Sequence, residues 1–117
     1  MDSFTLKTRY SVYPDCRFVA ARYHNDNLAL SIVNPEGPIM TCTINPGVEV
    51  PIDCVCIKDY SENTGIAATL VNMGIIEPEP IAIIPSGFVE LPVYRLTPKG
   101  AELWDMDTLS VSPRKTA

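Results

Sequence analysis

Turn-forming residues recur along the first half of this chain and leave only short segments between them. Each of four clusters combines residues such as Pro, Gly, Asn and Asp, because Pro presets φ and Asn or Asp can bond its own backbone. These clusters occupy residues 13–15, 24–27, 34–38 and 45–51. The spacing favours an antiparallel meander of short strands over βαβ units.

The segments between the turns have the composition and alternation of strands. Residues 4–10 alternate apolar with polar side chains, and Leu28, Leu30 and Ile32 would share one face of a later strand. Strands are therefore predicted at residues 4–10, 17–23, 28–32, 40–44 and 54–58.

Residues 60–76, "YSENTGIAATLVNMGII", have the pattern of a helix. Ser61 or Asn63 is expected to cap its free N–H groups. Ile66 and Leu70 lie at helical spacing and would face the sheet. Gly74 is predicted to end the helix in a left-handed conformation, with Ile75 folding back onto Leu70.

The stretch "IIPSGFVELPVYRL", residues 83–96, has the β-branched and aromatic content of strands interrupted by turn formers. Residues 85–87 are predicted as the turn, with a strand from 88 to 96. Pro92 lacks an N–H group, so this strand is expected at a sheet edge or a bulge. A short C-terminal helix should follow, with Thr97 as its cap and Pro98 in its first turn.

These elements predict one α+β domain over residues 1–110, followed by a flexible tail at 111–117. Its architecture is expected to be a twisted antiparallel sheet of about five to seven strands, one packed helix and a short C-terminal helix. The length of 117 residues favours one domain and suffices for a sizeable core.

Composition and charge exclude several classes of function. The net charge of −5 argues against a general nucleic-acid binder, and no phosphate-binding glycine motif is present. The sequence shows neither a signal peptide nor an apolar run of membrane length, which predicts a cytoplasmic location.

The sequence shows no set of residues with the spacing typical of a catalytic or metal-binding site. The only histidine, His24, lies in a predicted polar hairpin, so no catalytic residue is assigned and a non-enzymatic protein without a cofactor is expected. The four cysteines favour buried reduced thiols. A metal site built from Cys42, Cys54 and Cys56 is the alternative.

Two features suggest that the protein binds another protein. Tyr94 and Arg95 are residue types enriched at binding hot spots, and the alternative is that Tyr94 packs on the helix and Arg95 pairs with an acid. Five acids could line one surface that resembles a row of phosphates and competes with DNA for a basic groove. They are Glu77, Glu79, Glu90, Asp105 and Asp107.

Two other classes of function remain open. Basic and aromatic residues near the N-terminus could form a sheet face that holds a single nucleic-acid strand, as expected of a regulator. That set contains Lys7, Arg9, Tyr10, Arg17, Arg22 and Tyr23. A self-associating structural protein is the third possibility.

The order of three segments resembles the family catalogued as domain of unknown function 4313. The segments are "IMTCTINPG", "CVCIKDYSENTGIAATLVNMGII" and "SGFVELPVYRL", and the similarity extends over about residues 4–96. The resemblance implies a protein of a bacterial phage or conjugative element, and it carries no established reaction or catalytic residues. Such accessories bind host or mobile-element proteins, so inhibition of a DNA-targeting defence nuclease is the function expected by analogy.

Overall fold

The structure, a computed structural model, describes residues 3–108 and the side chains as far as residue 104, and within that range it has seven strands in two antiparallel sheets. The first sheet follows chain order: β1 (Phe4–Lys7), β2 (Val12–Arg22), β3 (Leu28–Asn34) and β4 (Gly37–Thr41). The second sheet has the order β5–β7–β6: β5 (Cys54–Cys56), β6 (Ala82–Ser86) and β7 (Val89–Arg95). The helical elements are a 3₁₀ turn (Ser61–Asn63), α1 (Ile66–Asn72) and α2 (Pro98–Thr108).

The predicted α+β class is confirmed, with the strands divided between two sheets. The segment after β4 connects them: the Cys42 N–H donates to Leu30 C=O in the first sheet at 2.8 Å. On its other side, the Lys58 N–H donates to Cys42 C=O at 2.8 Å, and the Ile44 N–H donates to Cys56 C=O at 3.1 Å. The segment therefore bonds to both sheets and holds them side by side. The predicted tail, residues 111–117, lies outside the described residues.

The main core lies where the inner face of the first sheet meets α1 and α2. Leu28, Leu30 and Ile32 are all buried on one face of β3, as their alternation predicts. Trp104 from α2 is also buried, and its indole N–H donates to Ala21 C=O at 3.0 Å. A buried Trp that satisfies its only donor contributes a large apolar area without a desolvation cost. Within residues 3–108, no helix has both the length and the apolar character that a membrane crossing requires.

The turn predicted at residues 13–15 is wrong, because β2 runs straight through them. The reversal occurs earlier, where the Thr8 N–H donates to Ser11 C=O at 2.8 Å. Phe4 pairs with Cys16 and Leu6 with Tyr13, so β2 carries one extra residue at this point. Asp15 has φ 57, the left-handed conformation that Asp tolerates. Residues typical of a turn here form a β-bulge.

Helix α1 begins at Ile66, later than predicted, and it is capped by neither of the two expected residues. Asn63 is buried and its Nδ2 donates to Thr41 C=O at 2.6 Å, so it fastens the helix segment to β4. Gly65 precedes the helix with φ 97. The end of the helix is as predicted: Gly74 has φ 76, and the Ile75 N–H donates to Leu70 C=O at 2.9 Å.

Strand β7 is the centre of the second sheet, so the expectation that it forms an edge is wrong. β5 ends at Cys56, and beyond it the Ile57 N–H donates to Pro92 C=O at 3.0 Å. Only the reciprocal bond is missing, because Pro92 has no N–H group, and a central position is tolerated at the cost of one bond.

β5 and β6 are the outer strands of this sheet; β5 bonds to the segment after β4, and β6, which contains Pro85, forms the open edge. The backbone carbonyl of Pro92 points toward β5, away from β6. Pro92 and its cross-strand partner Ile83 are therefore a non-hydrogen-bonded pair, and the N–H and C=O groups of Ile83 point to the open edge of β6. Pro85, two residues further, has the same orientation. The predicted turn at 85–87 is shifted, because Pro85 and Ser86 belong to β6 and the two-residue loop is Gly87–Phe88.

Candidate protein-binding site

The hairpin of β6 and β7 has one buried face and one exposed apolar face. Leu91 and Val93 are almost fully buried in a second, smaller core beneath the loop that contains Val50. On the opposite face, Ile83 stands across from Pro92 and remains 47 % exposed. Ile81, just before β6, is 44 % exposed. Large β-branched side chains on an uncovered sheet face are a feature of binding surfaces when they are contiguous.

Phe88 is fully exposed at the tip of this hairpin. Gly87 has φ 61 and permits the two-residue loop, which turns the Phe88 ring away from both cores. A Phe side chain offers roughly 150–250 Å² of apolar area, which this protein does not bury. We call Ile81, Ile83, Phe88 and Pro92 the hairpin face.

A cleft of about 350 Å³ lies at the other end of β7, beside α1. The cleft is lined by Tyr94, Pro78 and Asp59, and by Ala68 and Val71 of the helix. Tyr94 is half-buried and packs against the main core. It also lines the cleft together with residues of α1, in agreement with the sequence-based explanation that Tyr94 packs on the helix. We call this the Tyr94 cleft.

Two carboxylates act on the Tyr94 hydroxyl. Burial raises its pKa above the ordinary value, and the negative charges of Asp59 and Glu79 raise it further. Tyr94 is therefore a neutral phenol at physiological pH, in a negative local field. Asp59 is not among the residues predicted for binding, because a single Asp before a helix is typical of a cap. It does bind the start of the helix, accepting the Gly65 N–H at 2.6 Å.

Three of the five acids predicted to line one surface have described side chains, and these three are spread along the hairpin. Glu77, Glu79 and Glu90 are all exposed, but they lie at different ends of the hairpin. The Glu77 N–H donates to Arg95 C=O at 2.9 Å. Glu90 is five residues away along β7, a separation of about 16 Å. Asp105 and Asp107 belong to α2 by their backbone, and their side chains lie outside the described part of the protein.

Arg95 pairs with an acid, as the alternative explanation held. Its Nη1 lies 2.9 Å from Asp53 Oδ2, and both side chains are about half exposed. An exposed pair of this kind contributes little to stability, at most about 1 kcal/mol. Arg95 is thus already engaged within the protein, and binding of a partner there would have to break or share this contact.

The basic and aromatic residues near the N-terminus do not form a single face. Arg17 and Arg22 stand on opposite faces of β2, since they are five residues apart in one strand. Lys7, Arg9 and Tyr10 are exposed around the first turn. The Tyr23 hydroxyl hydrogen bonds to Thr43 Oγ1 at 3.1 Å, so it serves the link between sheets.

All four cysteines are free and buried. Burial raises the pKa of Cys42 to about 12 and that of Cys56 to about 11. For Cys54, burial and a hydrogen bond with Asp53 raise the pKa to about 12. Among residues 3–108 no three His, Cys, Asp or Glu side chains are placed to share a metal ion. The three thiols of Cys42, Cys54 and Cys56 therefore have little thiolate character.

The thiols should make the fold sensitive to alkaline pH. In the unfolded protein their pKa is about 9.0, below the folded values, so their contribution to stability is complete below pH 9 and is lost as pH rises toward 12. Each can contribute a slope of up to about 1.4 kcal/mol per pH unit. We expect urea unfolding to show the decline between pH 9 and 10.5. The decline should be shallower in Cys42→Ala; an equal slope in both proteins would contradict the assignment.

The protein matches no protein-family model, no curated protein and no solved structure. The geometry of the hairpin face and the Tyr94 cleft is therefore the basis for any functional conclusion. Tyr94 and Glu79 are among the residues that the sequence predicts for binding, whereas Asp59, Ile81, Ile83 and Phe88 of these two surfaces are not. Ile81 and Phe88 stand beside turn formers, "EPEPI" and "PSGF", and that adjacency was the available signal.

Proposed function

We propose that this protein is a non-enzymatic accessory protein of a phage or conjugative element that binds another protein through the hairpin face. In this proposal it acts in the bacterial cytoplasm, and its target is a host or mobile-element protein, specifically a DNA-targeting defence nuclease. The observation that carries the proposal is the fully exposed Phe88 at the tip of a hairpin with two further exposed isoleucines. The resemblance to the mobile-element family supports the biological setting.

Exposure of these side chains is costly to solubility unless a partner covers them. Phe88, Ile81 and Ile83 belong to one hairpin, and β6 has no strand beyond it in residues 3–108. Aromatic side chains that project from a rigid element are the usual anchors of protein interfaces, because most of the binding free energy comes from a few such residues. The hairpin is rigid because Leu91 and Val93 fix its inner face.

Replacing Phe88 tests the proposal without disturbing the fold. Phe88→Ser should change the free energy of unfolding by no more than about 0.5 kcal/mol, because the ring contacts neither core. It should weaken binding to a captured partner at least tenfold, corresponding to loss of a hot-spot residue. The measurements are affinity capture from a bacterial lysate, followed by titration calorimetry with the purified partner and inhibition of DNA cleavage where that partner is a nuclease.

Val48→Ser is the matched control, since Val48 is also an exposed apolar residue, 55 % accessible, and lies in the loop after β4. It should retain binding. Equal loss in both variants would indicate non-specific apolar adhesion. Capture of no partner at any salt concentration would contradict protein binding, and an identified nuclease whose cleavage is unaffected would contradict inhibition.

A further inference from the structure

We infer that the Tyr94 cleft receives a cationic side chain, a lysine or an arginine, from the partner protein. The inference rests on the proposed function, and it specifies the chemistry of the partner at one end of the hairpin. Ile81 connects the two surfaces: its N–H donates to Val93 C=O at 2.7 Å, next to Tyr94 in sequence. A partner segment lying on the hairpin face would therefore reach the cleft.

The shape and lining of the cleft suit a long side chain with a charged end. Helix α1 contributes the apolar side chains of Ala67, Ala68 and Val71 together with Asn72, and Pro78 also lines the cleft. Lysine and arginine pack their methylene stems on apolar surface and keep the charge at the wet end. The face of the half-buried Tyr94 ring is attractive to such a charge, because its quadrupole is negative there.

Asp59, the carboxylate that lines the cleft, is held in place before any ligand arrives. Asp59 uses Oδ1 to accept the Gly65 N–H at 2.6 Å, and within residues 3–108 its other oxygen makes no hydrogen bond. Glu79 stands between Pro78 and Pro80, whose rings restrict the backbone on both sides. Both charges act on the Tyr94 hydroxyl. Binding of a cation would therefore require little ordering of Asp59.

No cation of the described residues neutralises this negative field. The basic residues next to Asp59 and Tyr94 in sequence have other partners: Lys58 pairs with Glu62 at 2.8 Å, and Arg95 pairs with Asp53 at 2.9 Å. Lys99 donates to Met73 C=O at 2.9 Å. Neither of the two ion pairs in residues 3–108 includes Asp59 or Glu79. A cation from another molecule would therefore complement the negative charge of Asp59 and Glu79.

An organic cation fits better than a metal ion. Calcium and magnesium require about six oxygen ligands, and the described residues contain no group of three acidic, Cys or His side chains suitable for a metal. Two separated carboxylates beside an aromatic ring match instead the delocalised or alkyl-linked charge of a guanidinium or ammonium group.

The test uses the full-length protein, labelled with ¹⁵N, and two small probes that stand for the side chains: butylammonium and N-methylguanidinium. We expect saturable amide shifts confined to the residues around Gly65, Ala68, Glu79 and Tyr94, with weak affinity in the millimolar range. The neutral analogue 1-pentanol should produce none of these shifts at the same concentration. Shifts spread evenly over all exposed acids, or equal shifts with 1-pentanol, would overturn the inference.

Variants separate a specific site from general attraction to an acidic protein. Glu79→Gln and Asp59→Asn should each weaken probe binding by roughly two- to fivefold, the range of a single exposed charge pair. Glu90→Gln makes the same change of charge at the far end of β7 and should leave binding unchanged. Glu79→Gln is decisive if Asp59→Asn disturbs the start of α1, because Glu79 makes no structural bond within residues 3–108; no effect of this variant would contradict the inference.

The outcomes distinguish this inference from the proposed function. If the probes fail to bind at the cleft while Phe88→Ser abolishes partner capture, the cationic site is wrong and protein binding stands. If the probes bind as described but no partner is captured, the cleft assignment stands and the proposed function fails.

Discussion

Gly100→Ala should lower the free energy of unfolding by about 2–4 kcal/mol, although alanine is the better helix former. A Cβ atom at Gly100 would lie 2.0 Å from Ile75 O, a backbone atom in the fully buried segment after α1. Such an overlap can be relieved only by moving α2 away from the core. A propensity argument alone would predict stabilisation of about 1 kcal/mol, so the sign of the effect decides between the two accounts.

The measurement is urea unfolding followed by the fluorescence of Trp104, the only tryptophan of the protein. Glu102→Ala is the control, because Glu102 is exposed in the same helix and its replacement should change stability by less than about 0.5 kcal/mol. A Gly100→Ala protein as stable as the parent would show that α2 does not approach Ile75 as closely as described.

Asn27→Ala should cost about 2–4 kcal/mol, a large effect for the loss of one polar side chain. Asn27 is 2 % exposed. Its Nδ2 donates to Val48 C=O at 2.7 Å and to Asn45 Oδ1 at 3.1 Å, and its Oδ1 accepts the Val50 N–H at 3.0 Å. These bonds fasten the loop after β4 to the hairpin of β2 and β3. Alanine would leave buried backbone groups without partners, and each carries a desolvation penalty.

Calorimetry and amide hydrogen exchange test this prediction together. The melting temperature should fall by roughly 10 °C, and the Val50 amide should exchange faster than amides of β7. Asn72→Ala is the matched control, since Asn72 is exposed at the end of α1 and no side-chain bond of Asn72 occurs in residues 3–108. Comparable losses from both variants would contradict the role of Asn27.

Local features of the fold could be predicted from sequence because their causes lie within a few residues. The end of α1 needs only a left-handed Gly74 and an apolar residue after it, and both are visible in the sequence. The burial of Leu28, Leu30 and Ile32 follows from alternation in the same way. The hairpin turn at residues 24–27 also formed, with the Tyr23 N–H donating to Asn27 C=O at 2.9 Å.

Features that depend on distant partners were not predictable. Pro14 and Asp15 carry the same signal for a turn and for a bulge, and only pairing with β1 decides between them. The central place of β7 depends on β5, which lies more than thirty residues earlier in the sequence. Pro92 suggested an edge strand, because the sequence does not show that β5 ends beside Pro92.

The candidate site was predictable in part for the same reason. Residue type and position indicate Glu79 and Tyr94, and the fold brings them together with Asp59. The spacing of the predicted acids could not be foreseen, because Glu77 pairs with Arg95 at one end of β7 and Glu90 lies near the other end. Phe88 is predicted on a strand face, and its exposure follows from a turn that begins two residues later than expected.

Pro85 in the edge strand β6 restricts the way in which a partner can bind there. The open side of β6 presents the Ile83 N–H but no N–H at Pro85, so a foreign backbone cannot continue the ladder along it. The missing N–H group at Pro85 therefore disfavours edge-to-edge aggregation through β6. A partner must then be recognised through its side chains. Single substitutions on the hairpin face could therefore change the specificity without altering the fold.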